Sequence, residues 1–180
     1  MTASRTSRRG LLAAAAGLAL VGVGAGLVWR TTRRQSQALQ EAENHFWRQQ
    51  FAQLDGVVLA TSTFKGHPLV LNFWATWCPP CVEELPLINN FFQQNKTKGW
   101  QVLGLAVDQV APVSRFLAQS PLSFSIALAG FPGIEISRSL GNLSGALPFT
   151  VVFDPAGRVV HRKMGKLTTD DLRLWERLPV

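Results

Sequence analysis

Two cysteines three positions apart, Cys78 and Cys81, are the only cysteines in the chain and are its best candidates for chemistry. The apolar run before them, residues 69–74, is typical of a buried strand. After them, apolar residues recur with helical spacing over residues 85–92. The pattern therefore predicts Cys78 at a strand-to-helix junction, where the positive end of the helix dipole favours a thiolate.

This spacing favours a redox couple over a structural role. Cysteines at i and i+3 on a first helical turn have Cα atoms about 5–6 Å apart, which a disulfide accepts. Such a bridge closes a very short loop and constrains the unfolded chain little. It would therefore stabilise the folded state only weakly. A structural zinc site needs four ligands, and the chain has no second cysteine pair. Haem attachment needs a histidine where Val82 stands, and a peroxidase-type site needs a threonine where Ala75 stands. We therefore expect no metal and no cofactor beyond the cysteine pair.

The motif around the cysteines extends to both sides. Residues 72–81 read Asn-Phe-Trp-Ala-Thr-Trp-Cys-Pro-Pro-Cys, and Glu84-Leu85-Pro86 follow shortly after. Over residues 55–180 the chain resembles the TlpA/ResA branch of the thioredoxin superfamily, which consists of bacterial thiol-disulfide oxidoreductases. The resemblance implies an α/β thioredoxin fold, a mixed central sheet flanked by helices, with a TlpA-like central insertion. Asn72 stands where cytoplasmic thioredoxins carry a buried acid, and Glu84 takes over near the disulfide in this branch.

Roles for the cysteines and Glu84 follow from this reading. Cys78, as the N-terminal cysteine, is expected to be the exposed nucleophile, and Cys81 the buried resolving thiol. Glu84 lies one turn beyond Cys81 and is expected to accept a proton or tune the pair; the alternative is a surface glutamate on an amphipathic helix. Its choice over Glu83 rests on the resemblance.

Four further residues are expected to shape the active site. Pro79 and Pro80 offer no N–H to a thiolate, which leaves the Cys81 N–H as the nearest donor. Trp77 adjoins Cys78 and should shape the docking surface. Pro148 precedes a buried strand, an unusual position for proline. In thioredoxin-like folds the matching proline has a cis peptide bond and faces the dithiol, and the backbone before it can pair with a partner polypeptide.

The remaining elements frame this site. Residues 35–54 are predicted to form a juxtamembrane helical linker. A short strand then precedes the core strand, and the strand over residues 100–107 completes a parallel βαβ unit. Later segments predict a helix, a strand and a short helix, then a hairpin around the turn at residues 154–157, and a final helix opened by Thr168 with Asp171 as a capping box.

Most of the net charge of +7 belongs to the N-terminal tail. Residues 1–34 hold six of the 18 basic residues and no acid, which leaves 12 basic against 11 acidic residues, a net of +1, in the rest of the chain. A nearly neutral domain argues against nucleic-acid binding.

The tail itself is predicted to target the chain to a membrane. Residues 7–12 resemble a twin-arginine export signal. Residues 11–29 carry no charge and would reach roughly 28 Å as a helix, close to the thickness of a bilayer core. Residues 1–34 are therefore predicted to be either an uncleaved anchor, which places the domain on the periplasmic face of the bacterial inner membrane, or a cleaved signal, which makes it soluble in the periplasm.

Three functions fit the cysteine pair. A periplasmic reductase would reduce disulfides of client proteins, such as apocytochrome c, with electrons from a membrane donor of the CcdA or DsbD kind, as the resemblance implies. An oxidant would install disulfides instead. A copper-binding assembly factor would use both thiolates, although no Met- or His-rich segment lies nearby. Nothing in the sequence suggests more than a monomer.

Overall fold

The computed structural model describes residues 29–178. The chain divides into two units, with the boundary between Leu39 and Gln40. Of the first unit, residues 29–39 are described, and all are helical. The predicted export signal and nearly all of the predicted span lie outside the described residues. Within residues 29–178, no helix is both long enough and apolar enough to cross a bilayer.

Within the described residues, the second unit is built on one mixed sheet. Its strands are β1 (Gln50–Ala52), β2 (Val58–Ala60), β3 (Leu69–Trp74), β4 (Gln101–Ala106), β5 (Ser125–Leu128), β6 (Phe149–Phe153) and β7 (Val159–Met164). They are ordered β2-β1-β5-β4-β3-β6-β7 across the sheet. The central strands β3, β4 and β5 run parallel, whereas the outer pairings are antiparallel. The predicted βαβ unit and the later hairpin are both confirmed.

Helices cover both faces of the sheet. They are residues 40–46 of α1 (29–46), α2 (Pro79–Asn95), α3 (Val110–Gln119), α4 (Gly133–Ser139) and α5 (Thr169–Glu176). One buried cluster joins residues of α2, α3 and α5 to one face, and a second joins residues of α1 and the α4 region to the other. β3 is buried along its whole length because both its faces are covered.

Two local predictions can be compared directly with the structure. The capping box of the last helix is confirmed, since the Thr168 side chain accepts from the Asp171 N–H and Asp171 accepts from the Thr168 N–H. The predicted helical linker over residues 35–54 is wrong beyond Phe46, where the helix ends. Residues 50–52 form β1 instead, because they pair with β2 on one side and β5 on the other. Phe46 at the end of the helix and Phe51 in β1 are both buried, so two different elements contribute these side chains to the core.

Candidate active site

The cysteine pair lies at the start of α2, as the spacing predicts. Cys78 is the N-cap residue and Pro79 the first residue of the helix, a position that suits proline because its N–H would have no helical partner. The two cysteines form a disulfide with Cα atoms 5.3 Å apart. Cys78 thus occupies the positive end of a helix of 17 residues, where a thiolate is favoured once the bridge is reduced.

Two expectations about the cysteines require correction. Cys78 is only 6% exposed, against 0% for Cys81, so it is nearly as buried as its partner. The reason is that Cys78 belongs to the same apolar cluster as Trp74 and Ala75. The Cys81 N–H donates to the Cys78 carbonyl oxygen at 3.0 Å, so the predicted thiolate donor is already used by the helix.

The residues next to Cys78 in the chain form the solvent-exposed surface of the site. Trp77 is 57% exposed, Pro79 is exposed, and Pro80 is half-buried. The exposed indole therefore lies beside a nearly covered disulfide.

The sheet brings Asn72 and Thr150 to the face that α2 covers. Asn72 shares the β3 face of Val70 and Trp74, and its register partner on β6 is Thr150. Asn72 Nδ2 donates to Thr150 Oγ1 at 2.9 Å and to Glu84 Oε1 at 2.7 Å. Asn72, Glu84 and Thr150 are all 0% exposed. The alternative reading of Glu84 as a surface residue is therefore wrong, because Glu84 lies in the buried stripe of α2.

Glu84 has one further donor. The Leu167 N–H, in the loop between β7 and α5, donates to Glu84 Oε2 at 2.6 Å. Burial removes water from the carboxylate and raises the pKa of Glu84 from 4.5 to about 7, although the Leu167 and Asn72 hydrogen bonds oppose the shift. Glu83, the neighbour that the sequence could not exclude, is exposed and pairs with Lys166.

Pro148 is buried at the residue before β6, and the Leu147–Pro148 peptide bond is cis, as the resemblance implies. Its carbonyl oxygen accepts from the Gly165 N–H at 2.9 Å. That Pro148 faces the dithiol stays a prediction.

Asp108 is a site residue that the sequence reading missed. It follows β4 and is 7% exposed. Its Oδ2 accepts from Thr76 N at 2.8 Å and from Thr76 Oγ1 at 2.6 Å, and its Oδ1 accepts from Gln109 N at 2.7 Å. Asp108 therefore fixes the backbone two residues before Cys78. An isolated acid at the carboxyl end of the strand next to β3 was the signal that could have revealed it.

A mixed sheet flanked by helices, with a disulfide at the start of a helix and a cis proline before β6, defines a protein of the thioredoxin-fold dithiol–disulfide class. The sequence profile of the Redoxin family matches residues 37–174, so the chain belongs to this family. It is a thiol-disulfide oxidoreductase of the ResA type.

Named relatives and solved structures support this assignment. Thiol-disulfide oxidoreductase ResA of Bacillus anthracis is 33% identical over 120 residues, covering 66% of this chain and 67% of the relative. ResA of Geobacillus kaustophilus is 30% identical over 112 residues, covering 62% of this chain and 62% of the relative. A thiol:disulfide interchange protein DsbE structure from Chlorobium tepidum is 29% identical with a TM-score of 0.61, covering 72% of this chain and 88% of its own.

Proposed function

We propose that this protein reduces disulfides of client proteins by dithiol–disulfide exchange through Cys78 and Cys81. The observation that carries the proposal is the combination of a nucleophile and a proton acceptor on one helix. Cys78 caps α2, and Glu84, buried with a pKa near 7, lies one turn beyond Cys81. A reductase needs both groups, because one thiol must attack as a thiolate and the other must lose its proton afterwards.

The exchange has two balanced steps. The Cys78 thiolate attacks one sulfur of a client disulfide, which forms a mixed disulfide and releases the first client thiolate. Cys81, after losing its proton, attacks the Cys78 sulfur, which restores the Cys78–Cys81 disulfide and releases the second client thiolate. Two electrons pass to the client, and the two released thiolates take up protons to become thiols. A dithiol donor must then reduce Cys78–Cys81 for the next cycle.

Glu84 is the proposed acceptor of the Cys81 proton. Because its pKa lies near 7, both protonation states are populated at neutral pH, so it can take a proton and return it. The proton would move along the buried face of α2, which excludes bulk water. This face includes Cys81, Glu84, Leu85 and Ile88. Trp77, Pro79, Pro80 and Pro148 are the proposed residues that shape the site around the disulfide.

The resemblance also supports a cellular setting. We place the domain on the periplasmic face of the bacterial inner membrane, anchored by residues 11–29, or free in the periplasm if that segment is cleaved. Apocytochrome c is the proposed kind of client, and a membrane protein of the CcdA or DsbD kind is the proposed donor. The protein is expected to act as a monomer, with no cofactor besides the cysteine pair.

Trapping of the mixed disulfide tests this function. Reduced Cys81→Ser protein is mixed with oxidised apocytochrome c and analysed by non-reducing electrophoresis. A covalent adduct that dithiothreitol dissolves is expected, because the serine hydroxyl cannot resolve the intermediate. The matched Cys78→Ser protein should form none. Equal adducts with both variants, or no adduct with Cys81→Ser, would overturn the proposal.

A further inference from the structure

Three chain segments leave the sheet side by side at the edge where Cys78 lies. The register pairs Trp74 of β3 with Ala106 of β4, and Ala106 with Leu128 of β5. Because parallel strands end at the same edge and neighbours lie about 4.8 Å apart, the segments that follow them are adjacent. We call these segments, residues 75–82, 109–114 and 129–134, the edge segments.

Hydrogen bonds and close packing hold the edge segments together. The Thr76 N–H and hydroxyl both bond to Asp108, which joins the first segment to the end of β4. The Ala129 N–H donates to Ala106 O at 2.9 Å, which joins the third segment to β4. A Cβ at Gly133 would lie 2.7 Å from Ala129 Cβ and 3.1 Å from Val107 Cγ2, so a larger residue would force the third segment away from the end of β4.

The edge segments are mostly apolar, and none of their residues carries a charge. None of their residues is Asp, Glu, Lys or Arg, although such residues make up 16% of the chain. Each segment also exposes one large apolar side chain: Trp77 is 57% exposed, Val110 53% and Phe131 65%. Exposed apolar side chains gathered at one edge are typical of an interaction surface.

We propose that Trp77, Val110 and Phe131 form a docking surface for an extended client segment with uncharged, apolar residues beside its cysteine. The inference rests on the proposed function. Continuity with the disulfide identifies the occupant, because a client sulfur bonded to Cys78 brings its flanking residues onto the surface around Cys78. Apolar flanks gain from burial against these three side chains, whereas charged flanks would lose water there and find no charged partner within the edge segments.

The test compares two disulfide peptides with the same cysteine spacing, one with leucine beside the cysteines and the other with serine. The rate of oxidation of the reduced protein is followed by tryptophan fluorescence in stopped flow. The ratio of the two rates measures the preference for apolar flanks and cancels any change in the intrinsic reactivity of Cys78.

Wild-type protein is expected to prefer the leucine peptide about tenfold, which corresponds to about 1.4 kcal/mol. Phe131→Ser and Val110→Ser should each lower the ratio several-fold, and the double variant should bring it close to one. Val58→Ser is the matched control, since Val58 is 60% exposed on the edge strand β2. It should keep the wild-type ratio.

Four results would overturn the inference. A wild-type ratio near one, or an unchanged ratio in the double variant, contradicts the docking surface alone. Failure of wild-type protein to react with either peptide, while it still oxidises with bis(2-hydroxyethyl) disulfide, contradicts the proposed function and this surface with it. A wild-type dimer in sedimentation equilibrium that Phe131→Ser converts to a monomer would assign the surface to a second copy of the chain.

Discussion

Asn72 Nδ2 lies 2.7 Å from Glu84 Oε1, and this hydrogen bond joins the central strand to the helix that begins at the disulfide. The same amide donates to Thr150, so both of its N–H groups are used. Asn72 Oδ1, by contrast, is buried and has no partner among the described residues. Burial of the carboxylate raises the pKa of Glu84 to about 7, although the hydrogen bonds from Asn72 and Leu167 oppose the shift.

Glu84→Gln should remove a titration near pH 7 from the reactivity of the reduced cysteines. In wild-type protein, the rate of iodoacetamide alkylation against pH should reflect two coupled ionisations, one of them from Glu84. In the variant only the thiol ionisation should remain. Glutamine has nearly the same shape as glutamate, and its Oε1 can still accept from the Leu167 N–H.

Glu83→Gln is the matched control for that experiment, because Glu83 is the exposed neighbour on the same helix and should keep the wild-type profile. An unchanged profile in Glu84→Gln would contradict the proton role of Glu84.

Glu84 should also make the folded state less stable as pH rises. Its folded pKa of about 7 exceeds the ordinary value of 4.5, so the folded protein binds more protons than the unfolded chain between these values. The stabilisation is fully present below about pH 4.5 and is lost as pH rises through 7. The loss amounts to about 3 kcal/mol.

Urea unfolding of oxidised wild-type and Glu84→Gln proteins at several pH values measures this effect. Their difference in unfolding free energy isolates Glu84, because the other titrating groups are shared. A difference that does not change between pH 4.5 and pH 8 would contradict the raised pKa.

Asp108→Ala should destabilise the protein by roughly 2–4 kcal/mol, because it leaves the Thr76 and Gln109 N–H groups without their acceptor. Thr76→Val removes only the hydroxyl bond to Asp108 and keeps the N–H bond, so it should cost about 1 kcal/mol. Chemical denaturation measures both. Equal costs for the two variants would show that the carboxylate does not hold the Thr76 backbone.

The sequence predicts an element of the fold correctly where a single pattern, such as a continuous apolar run, determines its structure. The limits of β3 match the apolar run at residues 69–74, because a strand covered on both faces needs continuous apolar residues. The helix after the cysteines was predicted from apolar spacing over residues 85–92, but that spacing could not show that it begins at Pro79.

The missed features depend on contacts between segments distant in the chain. β1 is a strand only because β2 and β5 provide its partners, and its three residues carry no strand signal of their own. The Asp108–Thr76 hydrogen bonds link residues 32 positions apart, and the Glu84–Leu167 bond links residues 83 apart. Local spacing could place Glu84 on the helix but could not show that a distant loop would bury it.

The reduction potential of the Cys78–Cys81 couple tests the central claim most directly. The full chain is equilibrated at pH 7 in dithiothreitol redox buffers, and the oxidised fraction is followed by tryptophan fluorescence. A client reductase fed by a dithiol donor should have a potential near or below about −250 mV. A value above about −150 mV would make the protein an oxidant and contradict the proposed direction of electron flow.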